Sequence, residues 1–297
     1  MNRKRIVVLS GGLGNQLFQF CFAHILAVNH SRTISVYSPK PKNLARDFVL
    51  DSLCDNCSHI ENVILERSWT IDFAFRCRDF VHHRFEYLFH RIADKYLYVE
   101  PDAYAHNQSS LTQKLYSGYF QNWRFAQEGL PFFHSELART LSDRPTPLTF
   151  QPENEPYGVV HFRRGDLLNY SDTMGVLKDE YFFKAIDMAF DDLKAKIKVI
   201  VLTDDKELGA RTFLHLADEV FGPDQVDEWQ GLSIMSQASF VITSNSTFSW
   251  WGALLASKNG GTAYVPSPWF SNWTPNPGSA FEYPGFKRIP SNFKSEH

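Results

Sequence analysis

Apolar residues open the chain as a short run, Arg5 to Ser10, that ends in the glycine-rich turn Gly11 to Gln16. Beyond the turn they recur at Leu17, Phe18, Cys21, Phe22, Ile25 and Val28, the 3.6-residue period of a helix with one buried face. Thr33 to Tyr37 alternates and is rich in β-branched residues, which predicts a second strand. Residues 41–68 carry no regular period. Residues 69–99 interleave aromatic and basic side chains, among them Phe73, Arg76, Arg84, Tyr87 and Arg91. We read them as a helical layer with basic edges, in preference to an amphipathic helix lying on a membrane.

Ser142 to Pro156 breaks the pattern with Pro145, Pro147, Pro152 and Pro156 among polar residues, which is linker chemistry. This places a boundary between domains 1–150 and 151–297. The second domain alternates strands (157–162, Lys198 to Leu202, Phe240 to Thr243, Thr262 to Val265) with helices (179–195, 206–216, 247–257). Such alternation predicts a parallel sheet with helices on its faces. Residues 266–297, rich in proline and aromatics, read as a wrapping tail. The expectation is α/β throughout, two domains flanking a cleft.

Composition narrows the partners. A net charge of -3 leaves no polybasic footprint for nucleic acid, so any anion site is local. Aromatics make up 15% of the chain, enough for the core and for stacking on sugar rings. Met1 to Arg5 resembles the start of a signal peptide, but the apolar run after it is too short. The helix from Leu17 to Val28 carries Gln19 and His24 and is too short to span a bilayer. A cytoplasmic protein without an anchor is expected. Of the cysteines, Cys54-x-x-Cys57 with Cys77 and His82 or His83 has the donor types of a zinc site. Reduced structural cysteines, Cys21 among them, are the favoured reading, and no metal is expected.

Four loops carry chemistry. His161-Phe162-Arg163-Arg164-Gly165-Asp166 ends a strand. Its arginines fit either a dianion such as a nucleotide pyrophosphate or a surface pair salt-bridged to Asp166. Gly12-x-Gly14 suggests a dinucleotide turn, but Leu17 stands where a third small residue belongs, and no acid ends the second strand. What remains is a turn that lets a ligand approach backbone N–H groups beside Asn15 and Gln16. In Thr203-Asp204-Asp205 one aspartate suits the cap of the next helix. The other either holds a substrate hydroxyl or orients Arg163 or Arg164. Ser244-Asn245-Ser246-Thr247-Phe248-Ser249 places a run of small polar residues at a helix N-terminus, more than capping needs and suited to an anion.

These loops, with Gly118-Tyr119-Phe120-Gln121 and Trp250-Trp251, resemble in order and content the α-1,2-fucosyltransferases of glycosyltransferase family 11, in its bacterial form. The resemblance implies a GT-B fold of two Rossmann-like domains, with GDP-fucose held by the second. It also implies inversion at the anomeric carbon, independence of metal and a galactose-type acceptor. Carried over, Arg163 and Arg164 contact the pyrophosphate with the N–H groups of Ser246 and Thr247, and His161 lies against the nucleotide. Gly14, Asn15, Gln16, Asp204, Asp205, Ser244, Asn245 and Phe248 complete the donor side, and Tyr119, Gln121 and Trp123 the acceptor side. His161 and Asp166 are the candidates for general base. One departure stands out: Gly231 occupies the place, four residues before Met235, where the family has an acid suited to reading guanine, a task left to Asp227, Glu228 or backbone. The implied acceptor is a lipid-linked O-antigen unit or oligosaccharide, with peripheral contact at the inner membrane face. A transferase for another nucleotide sugar or linkage, and a non-enzymatic carbohydrate-binding protein, are the alternatives.

Overall fold

A computed structural model gives the structure. It describes residues 5–30, 34–37, 50, 53, 63–66, 97–99, 115–150, 155–165, 171–272 and 278–293. The chain forms two compact units, Met1–Thr140 and Leu141–His297, so the proline-rich stretch from Ser142 belongs to the second. The Cys54, Cys57, Cys77, His82 and His83 set and most of the aromatic–basic stretch lie outside the described residues.

The first unit is built on a parallel sheet of β1 (Arg5–Val8), β2 (Ile34–Tyr37), β3 (Val63–Glu66), β4 (Leu97–Val99) and β5 (Leu115–Ser117). The order is β3-β2-β1-β5-β4. Strand order reverses at β1, so the Gly11 turn after β1 and the Gly118 turn after β5 leave neighbouring strands at the switch point, where α/β sheets bind ligands. Helix α1 (Leu13–His30) begins earlier than the apolar period suggests and is buried on nearly every face down to Ala27. Its polar exceptions are used. Gln19, fully buried, accepts from Ser10 N (2.8 Å) and donates to Gly118 O (2.7 Å), tying the ends of β1 and β5 together. Helix α2 (Trp123–Gly129) is capped by Asn122 and packs on α1. Helix α3 (His134–Ser142) then crosses into the second unit.

The second sheet holds β6 (Tyr157–Phe162), β7 (Lys198–Thr203), β8 (Glu219–Phe221), β9 (Phe240–Ile242), β10 (Thr262–Ser267) and β11 (Lys287–Pro290). All pairs are parallel, in the order β11-β10-β9-β6-β7-β8. Counted from β6, this is the doubly wound nucleotide-binding order, with its switch between β6 and β9. The helices are α4 (Ser171–Met174), α5 (Asp179–Leu193), α6 (Lys206–Thr212), α7 (Glu228–Ser236) and α8 (Thr247–Lys258).

β6, β7, β9, β10, α5 and α8 fall where the hydrophobic pattern puts them, and α6 is shorter than predicted. Four elements escape that pattern, α4 because it is a single turn of four residues. β8 has three residues at a sheet edge, and α7 is buried along most of its length, so it shows no stripe. β11 forms in the predicted tail, with Ile289 its one buried residue.

Candidate functional site

Side chains alternate across a strand, and the end of β6 keeps that alternation. His161 and Arg163 turn one way, toward the loop after β9. His161 Nδ1 lies 3.0 Å from Ser244 Oγ, and Arg163 Nη1 donates to Ser246 Oγ at 3.0 Å. Ser246 stands at the N-cap of α8, yet its hydroxyl makes no capping bond. The positive end of a twelve-residue helix and a guanidinium therefore meet at one hydroxyl. Ser249 Oγ donates back to Ser246 O (3.2 Å), bracing the loop from inside. His161 is buried and rests near the Phe248 ring, with centroids 5.4 Å apart. Burial, and then the charge of Arg163, lower its pKa to about 3, so the imidazole is neutral at any physiological pH.

Phe162 and Arg164 turn the other way. Phe162 enters the core against Phe182 and Phe213. The Arg164 guanidinium lies over the Phe162 ring at 4.5 Å, donates to Leu177 O and pairs with Asp179 at the start of α5. It is 3% exposed, and burial pulls its pKa down against the opposing effects of Asp179, Asp204 and Glu180. The two arginines of the motif thus do different work. Asp179 and Leu177 were not singled out from the sequence. The one signal was an acid heading a predicted helix.

The remaining donor-side residues sort in the same way. Asp204 Oδ1 accepts from Arg164 N at 2.9 Å, and a Cβ on Gly165 would stand 2.5 Å from Asp204 Oδ2. Asp204 therefore holds the arginine turn by its backbone, while Asp205 caps α6 by accepting from Leu208 N at 3.0 Å. Asn245 turns away from the helix end, and its amide donates to Met174 O (2.8 Å) and Gly175 O (3.0 Å). Thr247 and Phe248 are partly exposed at the first turn of α8. Gly231 packs beneath Phe248: a Cβ there would lie 3.1 Å from its Cζ, so an acidic side chain would need the ring to move. Asp227 is the N-cap of α7, in a capping box with Gln230. Asp166 lies outside the described residues.

At the switch point of the first sheet, Gln121 Nε2 donates to Asn15 Oδ1 at 2.7 Å, joining two residues expected on opposite sides of the reaction. Gln16 is buried and folds back onto Gly11 O at 2.8 Å. Gly14 is buried within α1. Phe120 adopts φ 51 and stacks on Phe22 at 3.8 Å, which leaves its neighbour Tyr119 standing 42% exposed. The Arg124 guanidinium covers Trp123 at 4.5 Å. Among the described residues no group of three or more His, Cys, Asp or Glu could hold a metal ion, and no helix is long and apolar enough to cross a membrane.

Two Rossmann-like units, the second with a guanidinium and a helix N-terminus at its switch point, define a glycosyltransferase of the GT-B class. Residues 76–273 match the profile of Glycosyl transferase family 11, and the chain belongs to that family. It is 27% identical over 285 residues to the alpha-1,2-colitosyltransferase of Escherichia coli, covering 88% of this chain and 91% of that one. It is also 27% identical over 300 residues to the O-antigen biosynthesis glycosyltransferase WbnK of Escherichia coli, covering 89% and 94%. Among solved structures, the fucosyltransferase NodZ from Bradyrhizobium superposes with a TM-score of 0.51 at 15% identity, covering 86% of this chain and 93% of that one. The Escherichia coli heptosyltransferase WaaC, with ADP, gives 0.50 at 11% identity, covering 97% and 93%. These structural likenesses support the fold.

Proposed function

We propose that the chain transfers L-fucose from GDP-β-L-fucose to the 2-hydroxyl of a terminal β-galactose, with inversion and without a metal. The observation that carries this is the meeting of Arg163 with Ser246 at the open N-terminus of α8. Charge that develops on a departing diphosphate is stabilised there by a fixed guanidinium and by helix amides, the work a divalent cation does elsewhere. His161 and Phe248 form a wall beside that site for the nucleoside. His161 is a poor general base, since it is buried, neutral and engaged with Ser244. Asp166 is then the carboxylate to test for that role, in a reaction whose loose, oxocarbenium-like departure asks little of a base. Tyr119, exposed beside the Asn15–Gln121 pair, suits stacking on an acceptor sugar. The acceptor class is a galactose-terminated glycan; an O-antigen unit is favoured by the WbnK relative, named for O-antigen biosynthesis, and we propose that it is lipid-linked and met at the inner membrane face.

The test is a donor panel of GDP-fucose, GDP-colitose, UDP-galactose and ADP-heptose on a galactose-terminated acceptor, read by product mass and linkage. Transfer of fucose to O2, undiminished by excess chelator, is the expected outcome. Loss in chelator with recovery on adding a divalent cation overturns metal independence. Transfer from GDP-colitose alone establishes the second reading, which the colitosyltransferase relative favours.

A further inference from the structure

Arg164 is an arginine in the right motif with its side chain in the wrong place for a ligand. Its guanidinium is closed in by the Phe162 and Phe182 rings, Leu177 O and Asp179, and its Nε finds no partner among the described residues. An ion pair this buried on one side gains little stability over apolar packing of the same volume. Its effect is geometric. The Arg164 side chain ties the turn to the segment before α5, while its backbone N–H and the adjoining Gly165 are held by Asp204 at the end of β7. The segment before α5 is itself fixed from its far side: Lys178 N donates to Asn292 O at 2.6 Å, and Leu177 bridges to Phe293. Two separate stretches of chain therefore clamp the peptide that carries Arg163, and a third braces one of them.

We propose that Arg164 and Asp179 are a positioning pair: they fix the turn so that the neighbouring Arg163 reaches the second phosphate of the donor nucleotide. This rests on the diphosphate-donor reading above. A misplaced guanidinium forfeits part of a charged hydrogen bond, which is worth about ten- to a hundred-fold in affinity, so the pair acts on binding through Arg163 without touching the ligand.

The test is the ratio of GDP to GMP affinity, measured by calorimetry on the full chain, because that ratio isolates the second phosphate. Arg163→Ala lowers it by about ten- to a hundred-fold, the worth of one charged hydrogen bond. Asp179→Asn lowers it in the same direction with GMP affinity unchanged, Asp179→Glu restores it, and Asp179→Asn adds nothing once Arg163 is alanine. Should Asp179→Asn fail to fold, Asp204→Ala removes the acceptor of Arg164 N, loosens the same turn from β7 and is read in the same way. A lowered melting temperature with a wild-type ratio overturns the proposal and leaves the pair a stability device. If guanine nucleotides do not bind, the UDP/UMP and ADP/AMP pairs test the brace while the GDP-fucose reading falls. A wild-type chain indifferent to the second phosphate on all three bases overturns both.

Discussion

Arginine offers a planar fork, so the contribution proposed for Arg163 to a departing diphosphate depends on shape as well as charge. Arg163→Ala is expected to lower kcat by about 10²–10³, as for one lost transition-state donor. Arg163→Lys should not recover it, because a point charge cannot span both the ligand and Ser246 Oγ. Lysine activity near wild type would reduce the residue to a general electrostatic role. His24 carries a second prediction at this scale. It sits within α1 against Phe20, Phe132 and Phe133, and burial lowers its pKa to about 4. The unfolded chain takes up this proton near pH 6.5 and the folded one does not, so the stability His24 contributes is full above that pH. It is lost progressively as pH falls through about 4, and His161 adds to the same trend with its pKa near 3. Urea midpoints measured from about pH 7.5 down to about pH 5 should fall less steeply in His24→Phe than in the wild type. Equal slopes would mean that the ring is solvated. Much of the residue-scale picture was legible in the sequence: the charged strand end and the small polar run are both at the switch point. The alternation His161-Phe162-Arg163-Arg164 also encodes which arginine follows Phe162 into the core. Reading the arginines as a pair hid it, because adjacent like residues invite one shared role.

Elements were legible where a helix keeps one apolar face or a strand is an unbroken apolar run. α5 is the first case, and β7 and the three-residue β9 are the second; β8 opens on Glu219 and buries only Phe221, and α7 is apolar on too many faces to show a period. The tail was opaque for another reason: its proline and glycine content reads as irregular, yet β10 offers β11 an open edge to pair with, and that is a long-range property. Close approach of helices was invisible as well. A Cβ on Gly129 would fall 2.5 Å from Cys21 Cα, so α2 reaches the backbone of α1 because residue 129 has no side chain. Backbone cannot step aside as a flexible side chain does. Gly129→Ala should therefore cost about 1–3 kcal/mol by overpacking, seen as a lower urea midpoint with the slope unchanged. An unaltered midpoint would mean that the two helices slide apart without penalty.

At the scale of the whole molecule, chemistry-bearing residues and natural reporters are distributed unequally between the two units. Among the described residues, four tryptophans are buried, Trp229, Trp250, Trp251 and Trp269; all lie in the unit Leu141–His297, and two of them stand on α8, whose first turn carries the proposed anion site. All four cysteines fall within Met1–Thr140, where Cys21 is a buried free thiol whose pKa is raised by desolvation. Each unit has its own probe once Trp69 and Trp123 of the first are phenylalanine: tryptophan emission for the second, and thiol labelling of Cys21 for the first once the other three cysteines are serine. A ligand that binds only the folded state stabilises it by RT ln(1 + [L]/Kd), about 2.7 kcal/mol at a hundred-fold excess over Kd. GDP is expected to raise the tryptophan transition by several degrees, and UDP and ADP at the same concentration to leave it unmoved. A shift with all three nucleotides would keep the anion site and remove guanine selectivity, which is the consequence to expect if Gly231 leaves the base edge unread. A GDP shift confined to Cys21 labelling would put the nucleotide on the first unit, against the placement of Arg163, Ser246 and the α8 N-terminus in the second.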